Sequence, residues 1–163
     1  PLGVVWPGHI ARDSVCDVPV ITLDFYPTLL ELGGLPVDPS LDLDGVSFRS
    51  LLLGKESTLS RDALYWHFPA YLDGVPKGYE QDVHAAGWRA TPCGAIRQGD
   101  WKLIEYFEDG SVELSNLADD IGERQDLAAS QPEKARALQA QLARWRIETH
   151  APMPRQKGDI AIH

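Results

Sequence analysis

Few side chains in this 163-residue sequence could carry chemistry, and they are widely spaced. Cys16 and Cys93 are too few for a disulfide framework and lack metal-ligand spacing, so neither a redox pair nor a metal cage is expected from them. His67 closes the aromatic run Trp66-His67-Phe68-Pro69; an imidazole at a strand end can donate to a ligand oxygen or be satisfied by nearby backbone. From Ala70 to Pro92 no hydrophobic period is visible. A stretch of that length inside a globular chain reads as a ligand-facing loop, and this one carries Tyr71, Tyr79, His84, Trp88 and Arg89. The last three combine an imidazole, an aromatic face for stacking and a guanidinium suited to anionic oxygens. Asp42-Leu43-Asp44-Gly45 opens like a calcium loop but lacks the glutamate expected at the twelfth position, so it is read as a turn.

The elements that must position these residues centre on Gly94 to Leu117. Three β-prone runs, Ala95–Arg97, Trp101–Phe107 and Val112–Ser115, are separated by Gln98-Gly99-Asp100 and Glu108-Asp109-Gly110-Ser111, whose Gly and Asp residues suit hairpin tips. This predicts an antiparallel meander. Trp101, Leu103, Glu105 and Phe107 share one face; Lys102, Ile104 and Tyr106 share the other. Neither face is cleanly polar, so both need cover. Ala135, Leu138, Leu142 and Trp145 form a helical stripe that predicts one cover, a helix near residues 132–148, opened by Ser130-Gln131-Pro132-Glu133 as a capping box with proline in the first turn. Ala63 to Pro69 reads as a first or edge strand of the same sheet.

Further upstream, Leu2-Gly3-Val4-Val5-Trp6 reads as a buried strand ended by a Pro7-Gly8 turn. Asp24 to Gly34 predicts a short helix with Asp24 as N-cap, Pro27 at its third position, Gly33 as a left-handed stop, and Phe25, Leu29 and Leu32 on one face. Composition narrows the partners. A formal net charge of −9 opposes nucleic acid and anionic membranes, and neither is expected as a partner. No apolar run is long enough to span a bilayer, and no signal peptide is readable, so localisation is unassigned.

Several of these segments carry a resemblance. Gly94 to Ile104, Glu113 to Asp120 and Gly122-Glu123, with Leu2 to Gly8, the Asp24-Phe25-Tyr26-Pro27-Thr28 helix and Asp44 to Phe48, resemble the C-terminal part of the type I, formylglycine-dependent sulfatases. The resemblance runs to about Pro154. It implies an α/β fold: the edge of a large alkaline-phosphatase-like α/β domain over residues 1–56, a small C-terminal subdomain of antiparallel sheet packed by one long helix over 57–151, and a loose tail over 152–163. It also implies that a full-length member hydrolyses sulfate esters, plausibly of a carbohydrate, with calcium and a formylglycine made from the cysteine of a Cys-X-Pro-X-Arg motif. Family members are often exported.

Neither cysteine here offers that motif. Cys16 is followed by a misplaced proline and no arginine, and Cys93-Gly94-Ala95-Ile96-Arg97 belongs to a strand rather than the start of a helix, where an anionic intermediate would be favoured. The family's calcium ligands precede the segment matched by Leu2 to Gly8. The chain by itself is therefore expected to have no catalytic residue, metal site or cofactor, with Asp119-Asp120 a solvated turn. By resemblance His67 could face a substrate cleft, and His67, Trp88 and Arg89 are the expected contacts to a sulfated small molecule or sugar. Pro1 rather than Met opens the sequence, which fits an initiating end that has been cut away; the resemblance implies that the catalytic region of a full-length member lies upstream, and self-association through a truncated edge at Leu2 to Trp6 is expected. The alternative is a free-standing, non-catalytic module that binds a glycan or a protein through the aromatic loop.

Overall fold

The computed structural model describes residues 2–74 and 88–154, and its chain divides into two compact units, Pro1–Arg61 and Asp62–His163. In the second unit four antiparallel strands follow one another in order across the sheet: β1 (Leu64–Phe68), β2 (Cys93–Gln98), β3 (Trp101–Tyr106) and β4 (Val112–Asn116). A two-residue tip, Gly99-Asp100, joins β2 to β3. Gly99 comes first with φ +59, a conformation open to glycine at no steric cost. The β3–β4 tip is held by Asp109, whose carboxylate accepts from the Ser111 amide at 2.9 Å and hydroxyl at 2.6 Å, with Gly110 at φ +71.

Register then decides the core. Tyr65 pairs with Ile96, Ile96 with Leu103 and Leu103 with Leu114, so four large side chains form one row on one face. Across that row lies α3 (Pro132–Glu148), which buries Ala135, Leu138 and Leu142 against it; Ile96, Leu103, Leu114 and Leu142 are all 0% exposed. Tyr65 stacks on Trp145 with ring centroids 4.9 Å apart. The meander, the edge position of β1 and the helical stripe are as the periodicity predicts. The opposite face remains partly open, with Trp66 43% and Phe68 38% exposed.

The capping box does not form. Gln131 is the N-cap of α3 and makes no side-chain cap bond, while the Ser130 hydroxyl turns back to the Leu127 carbonyl at 3.1 Å. The reason is local: the amides of Ser130 and Gln131 both bond the Leu127 carbonyl, so the chain is still turning when Ser130 is reached. Proline at the first helical position is as expected. The β4 edge is closed by the preceding loop. Leu114, whose amide and carbonyl face away from β3, donates to the Asp126 carboxylate at 3.0 Å and accepts from the Leu127 amide at 2.7 Å.

The first unit is built around a buried carboxylate. A single 3-10 turn, Thr22–Asp24, leads into α1 (Phe25–Leu32), and α2 (Arg49–Leu52) follows. Asp24 precedes α1 as expected, but it does not cap it. Its backbone is already helical and its carboxylate accepts from the Ile21 amide at 2.8 Å, the Val46 amide at 3.0 Å and both terminal nitrogens of Arg61 at 2.7 and 2.8 Å. Thr28 Oγ1 donates to the Asp24 carbonyl at 2.6 Å and accepts from the Phe48 amide at 2.9 Å, so segment 45–48 is laid along the start of α1. Gly45 is required there, because a Cβ would stand 2.1 Å from the Leu23 carbonyl oxygen. That close approach, not metal ligation, accounts for the glycine that follows Asp42-Leu43-Asp44.

Three expectations for this unit are corrected. Gly33 ends α1 with φ −78, and the left-handed residue is Gly34 at φ +69. The buried residues of α1 are Pro27 and Thr28, while Leu29 is exposed, because Thr28 is drawn inward by its bond to Phe48. Leu2 to Trp6 is not a strand: among the described residues no strand pairs with it, and an extended run without a partner gains no ladder bonds. Its Pro7-Gly8 turn does form, with Gly8 at φ +81 and the amides of His9 and Ile10 on the Trp6 carbonyl.

Two stability outcomes follow from these contacts. Leu142→Ala removes a wholly buried side chain between helix and sheet and should cost about 2–5 kcal/mol, read as a lowered urea midpoint; an unchanged midpoint would mean α3 does not dock as described. For Asp24, burial raises the pKa, but the Arg61 bond, the Ile21 and Val46 amides and the Arg61 charge together outweigh it, and the net shift is downward from 3.8. A carboxyl whose folded pKa is depressed stabilises above its unfolded pKa and loses that stabilisation as pH falls through the folded value. Denaturant midpoints of the Asp24→Asn chain should therefore fall less steeply below pH 3.8 than those of the parent.

Candidate functional site

Strands β1 and β3 are both antiparallel to β2, so their C-terminal ends and the N-terminal end of β2 lie together at one end of the sheet. Of the residues singled out by chemistry, His67 lies there. His67 lies in β1 opposite Gly94 of β2. Its Nε2–H donates to the Pro152 carbonyl at 2.8 Å, while Nδ1 is buried without a hydrogen-bond partner among the described residues. The imidazole packs beside Phe107 at 5.3 Å and Trp145 at 6.5 Å between ring centroids. Gly94 makes room for this packing: a Cβ there would stand 3.1 Å from the Phe107 ring and 3.5 Å from Arg146 Nη1. Arg146 lies over the Phe107 ring at 5.2 Å and pairs with Glu105, which also accepts from Gln139 at 3.0 Å.

Beyond β1 the chain makes a second, more exposed group. Leu72 bridges to Ala90, with the Leu72 amide on the Ala90 carbonyl at 2.9 Å and the Arg89 and Ala90 amides on the Leu72 carbonyl at 2.8 and 3.2 Å. That bridge brings Trp88 beside Tyr71, ring centroids 4.9 Å apart and inclined at 52°. The Tyr71 hydroxyl donates to the Glu108 carboxylate at 2.6 Å; this bond, then burial and the Glu108 charge, holds the phenol above its usual range. Trp88 and Arg89 are exposed. The structure thus joins Trp88 and Arg89 through one short bridge but keeps His67 in a different set of ring contacts among the described residues. Tyr79 and His84 lie outside the described residues, as does the tail over 155–163.

Glu108 and Phe107 are site residues that sequence reasoning did not identify. Both sit where turn chemistry dominates the pattern, and the signal that could have found them is topological: the end of β3 must meet the end of β1 once β2 runs between them. Cys93 is half-buried at the start of β2, opposite Phe68 and Tyr106. Burial pushes its thiol up and the charge of Lys102 partly offsets this, so the thiol form is favoured at neutral pH. Among the described residues no group of three His, Cys, Asp or Glu side chains is placed to hold a metal ion. Asp119 and Asp120 are occupied as turn acceptors, the first with the Asn116 side chain at 2.6 Å and the second with the Arg124 and Gln125 amides at 2.6 and 2.9 Å.

Comparison with known proteins adds a family context. The family described as N-sulphoglucosamine sulphohydrolase, C-terminal, matches residues 1–150. A sulfatase of Formosa agariphila is 34% identical over 165 residues, covering 93% of this chain and 28% of its own length. The chain therefore spans well under half of the relative it resembles. Among solved structures, BT1596, a 2-O GAG sulfatase, superposes with a TM-score of 0.59 at 21% identity over 78% of this chain and 25% of its own. Ps i-CgsB in complex with k-i-k-neocarrahexaose superposes with a TM-score of 0.65 at 23% identity over 94% of this chain and 30% of its own. At these identities the structural likeness establishes the fold.

The two thiols provide a check on the site geometry. Exposed Cys16 should react with iodoacetamide at pH 8 about tenfold faster or more than Cys93, whose thiolate is disfavoured by burial; peptide mass spectrometry reads both rates, and equal rates would place Cys93 outside the sheet.

Proposed function

We propose, since this chain belongs to the sulfatase family, that it is the C-terminal region of a hydrolase of sulfate esters carried on carbohydrate, and that its sheet end bearing His67, Trp88 and Arg89 meets the substrate. The observation that supports the proposal is the convergence of β1, β2 and β3 at that end, where His67 lies on β1 and where the Tyr71 bond to Glu108, just past β3, ties in the Leu72–Ala90 bridge that carries the exposed Trp88 and Arg89. In this reading residues 1–56 are the edge of the large α/β domain and residues 57–151 the smaller subdomain.

The roles follow from the chemistry of each group. Arg89 offers a planar fork of donors to sulfate oxygens, and Trp88 an apolar face to a sugar ring. His67 reaches a ligand only by exchanging the Pro152 carbonyl for a ligand oxygen, since its Nε2–H is already engaged. The residues described here do not fit the formylglycine and calcium of this family: Cys93 lies in a strand without a Cys-X-Pro-X-Arg context, and the acidic side chains form no ligand cluster. No catalytic step is assigned to this chain. Its part is to bind and orient, which lowers the barrier only when the reacting groups are held nearby.

Two measurements test this. Residues 1–163 alone, given 4-nitrophenyl sulfate and calcium, should remain at background, with an intact mass showing Cys93 unmodified. In a longer chain that carries Cys-X-Pro-X-Arg upstream, Arg89→Ala should raise KM for a sulfated oligosaccharide about tenfold, the loss of one charge-assisted contact. Unchanged KM in that chain would remove Arg89 from the substrate site; turnover by residues 1–163 that is abolished in Cys93→Ala would overturn the division of labour itself.

A further inference from the structure

We propose that Tyr71 and Trp88 form a stacking platform for an uncharged pyranose unit of the carbohydrate, oriented by Glu108; the proposal rests on the carbohydrate reading above. Large aromatic rings at the surface lose the gain of burial unless a ligand covers them, yet Tyr71 and Trp88 stay 47% and 39% exposed. They are also held in place. The Leu72–Ala90 bridge fixes the two backbones, and the Tyr71 hydroxyl bond to Glu108 fixes one ring against rotation. Groups preset in this way spend little entropy on binding.

The chemistry around the two rings narrows the ligand. Rings inclined at 52° with centroids 4.9 Å apart make a shallow V rather than a flat stack. At that separation the two rings touch each other, so a ligand meets their outer, exposed faces, and the C–H face of a pyranose ring is suited to such a surface, its equatorial hydroxyls being left to polar neighbours. One such neighbour is the Glu108 carboxylate, bonded to the Tyr71 hydroxyl at 2.6 Å, which can accept hydrogen bonds from sugar hydroxyls and repels a sulfate or uronate group. The platform therefore selects an unsulfated unit, while Arg89, the residue after Trp88, takes the anionic group of an adjoining one. Recognition of a charged polymer is divided between an aromatic pair for its neutral face and a guanidinium for its charge.

The test is an NMR titration of the 15N-labelled full chain with a κ-neocarrahexaose and with the same hexasaccharide after chemical desulfation, which is neutral and otherwise identical. The Trp88 indole signal should shift with both sugars, saturating in the millimolar range. In Tyr71→Ala the Trp88 reporter remains and affinity for the neutral sugar should fall about tenfold; Tyr71→Phe, which keeps the ring and removes the bond to Glu108, should fall less. Unchanged Trp101 and Trp145 indole signals show that each variant is folded. A Trp88 signal unmoved by either sugar overturns the platform. A signal moved only by the sulfated sugar overturns its neutral specificity. Shifts at the His67 and Arg89 amides with the sulfated sugar and none at Trp88 sink the platform while leaving the proposed function standing.

Discussion

The constraint on which the second unit depends is the row Tyr65–Ile96–Leu103–Leu114 lying under Leu138 and Leu142. Side chains alternate along a strand, so a slip of one residue in any of the four strands would turn a member of this row to the far face and leave a gap under α3. The row thus sets the register, and the register determines which residues arrive at the sheet end. His67 stands two residues beyond Tyr65, Gly94 two before Ile96, and Phe107 four beyond Leu103. The ring packing of His67 against Phe107 across Gly94 is a consequence of the apolar row and not a separate arrangement.

Polar groups refine what the row begins. Glu105 sits on the helix-facing side of β3 and is answered from α3 by both Gln139 and Arg146. A carboxylate so placed is costly unless paired, so the helix is held in the one rotation that presents both partners. In the first unit the buried Asp24 has the same part. Its four donors come from residues 21, 46 and 61, and they tie three stretches of chain to one carboxylate.

Much of the fold was legible because its signals are local. Gly99-Asp100 and Asp109-Gly110 mark the hairpin tips, and the spacing of Ala135, Leu138, Leu142 and Trp145 shows the buried face of α3. The misreadings share another cause. Asp24 has the identity of a cap but its carboxylate is claimed by Arg61, 37 residues away. Ser130 likewise has the identity of a cap, yet the turn around Leu127 places it one residue early. Leu2 to Trp6 has a strand's composition and no ladder partner among the described residues. The candidate site was legible as a set of residue types, with Trp88, Arg89 and His67 marked by chemistry. Its organisation was not, because Tyr71 meets Glu108 only through sheet topology and His67 meets Pro152 only once α3, which precedes Pro152, has docked.

The loop that closes β4 has a consequence for how the sheet can be extended. Asp126 and Leu127 answer the outward amide and carbonyl of Leu114, so a strand offered by another molecule finds those ladder positions already filled. Pairing by an added strand beside β4 would first have to displace both of these contacts, so that flank of the sheet is guarded at its centre by the chain itself.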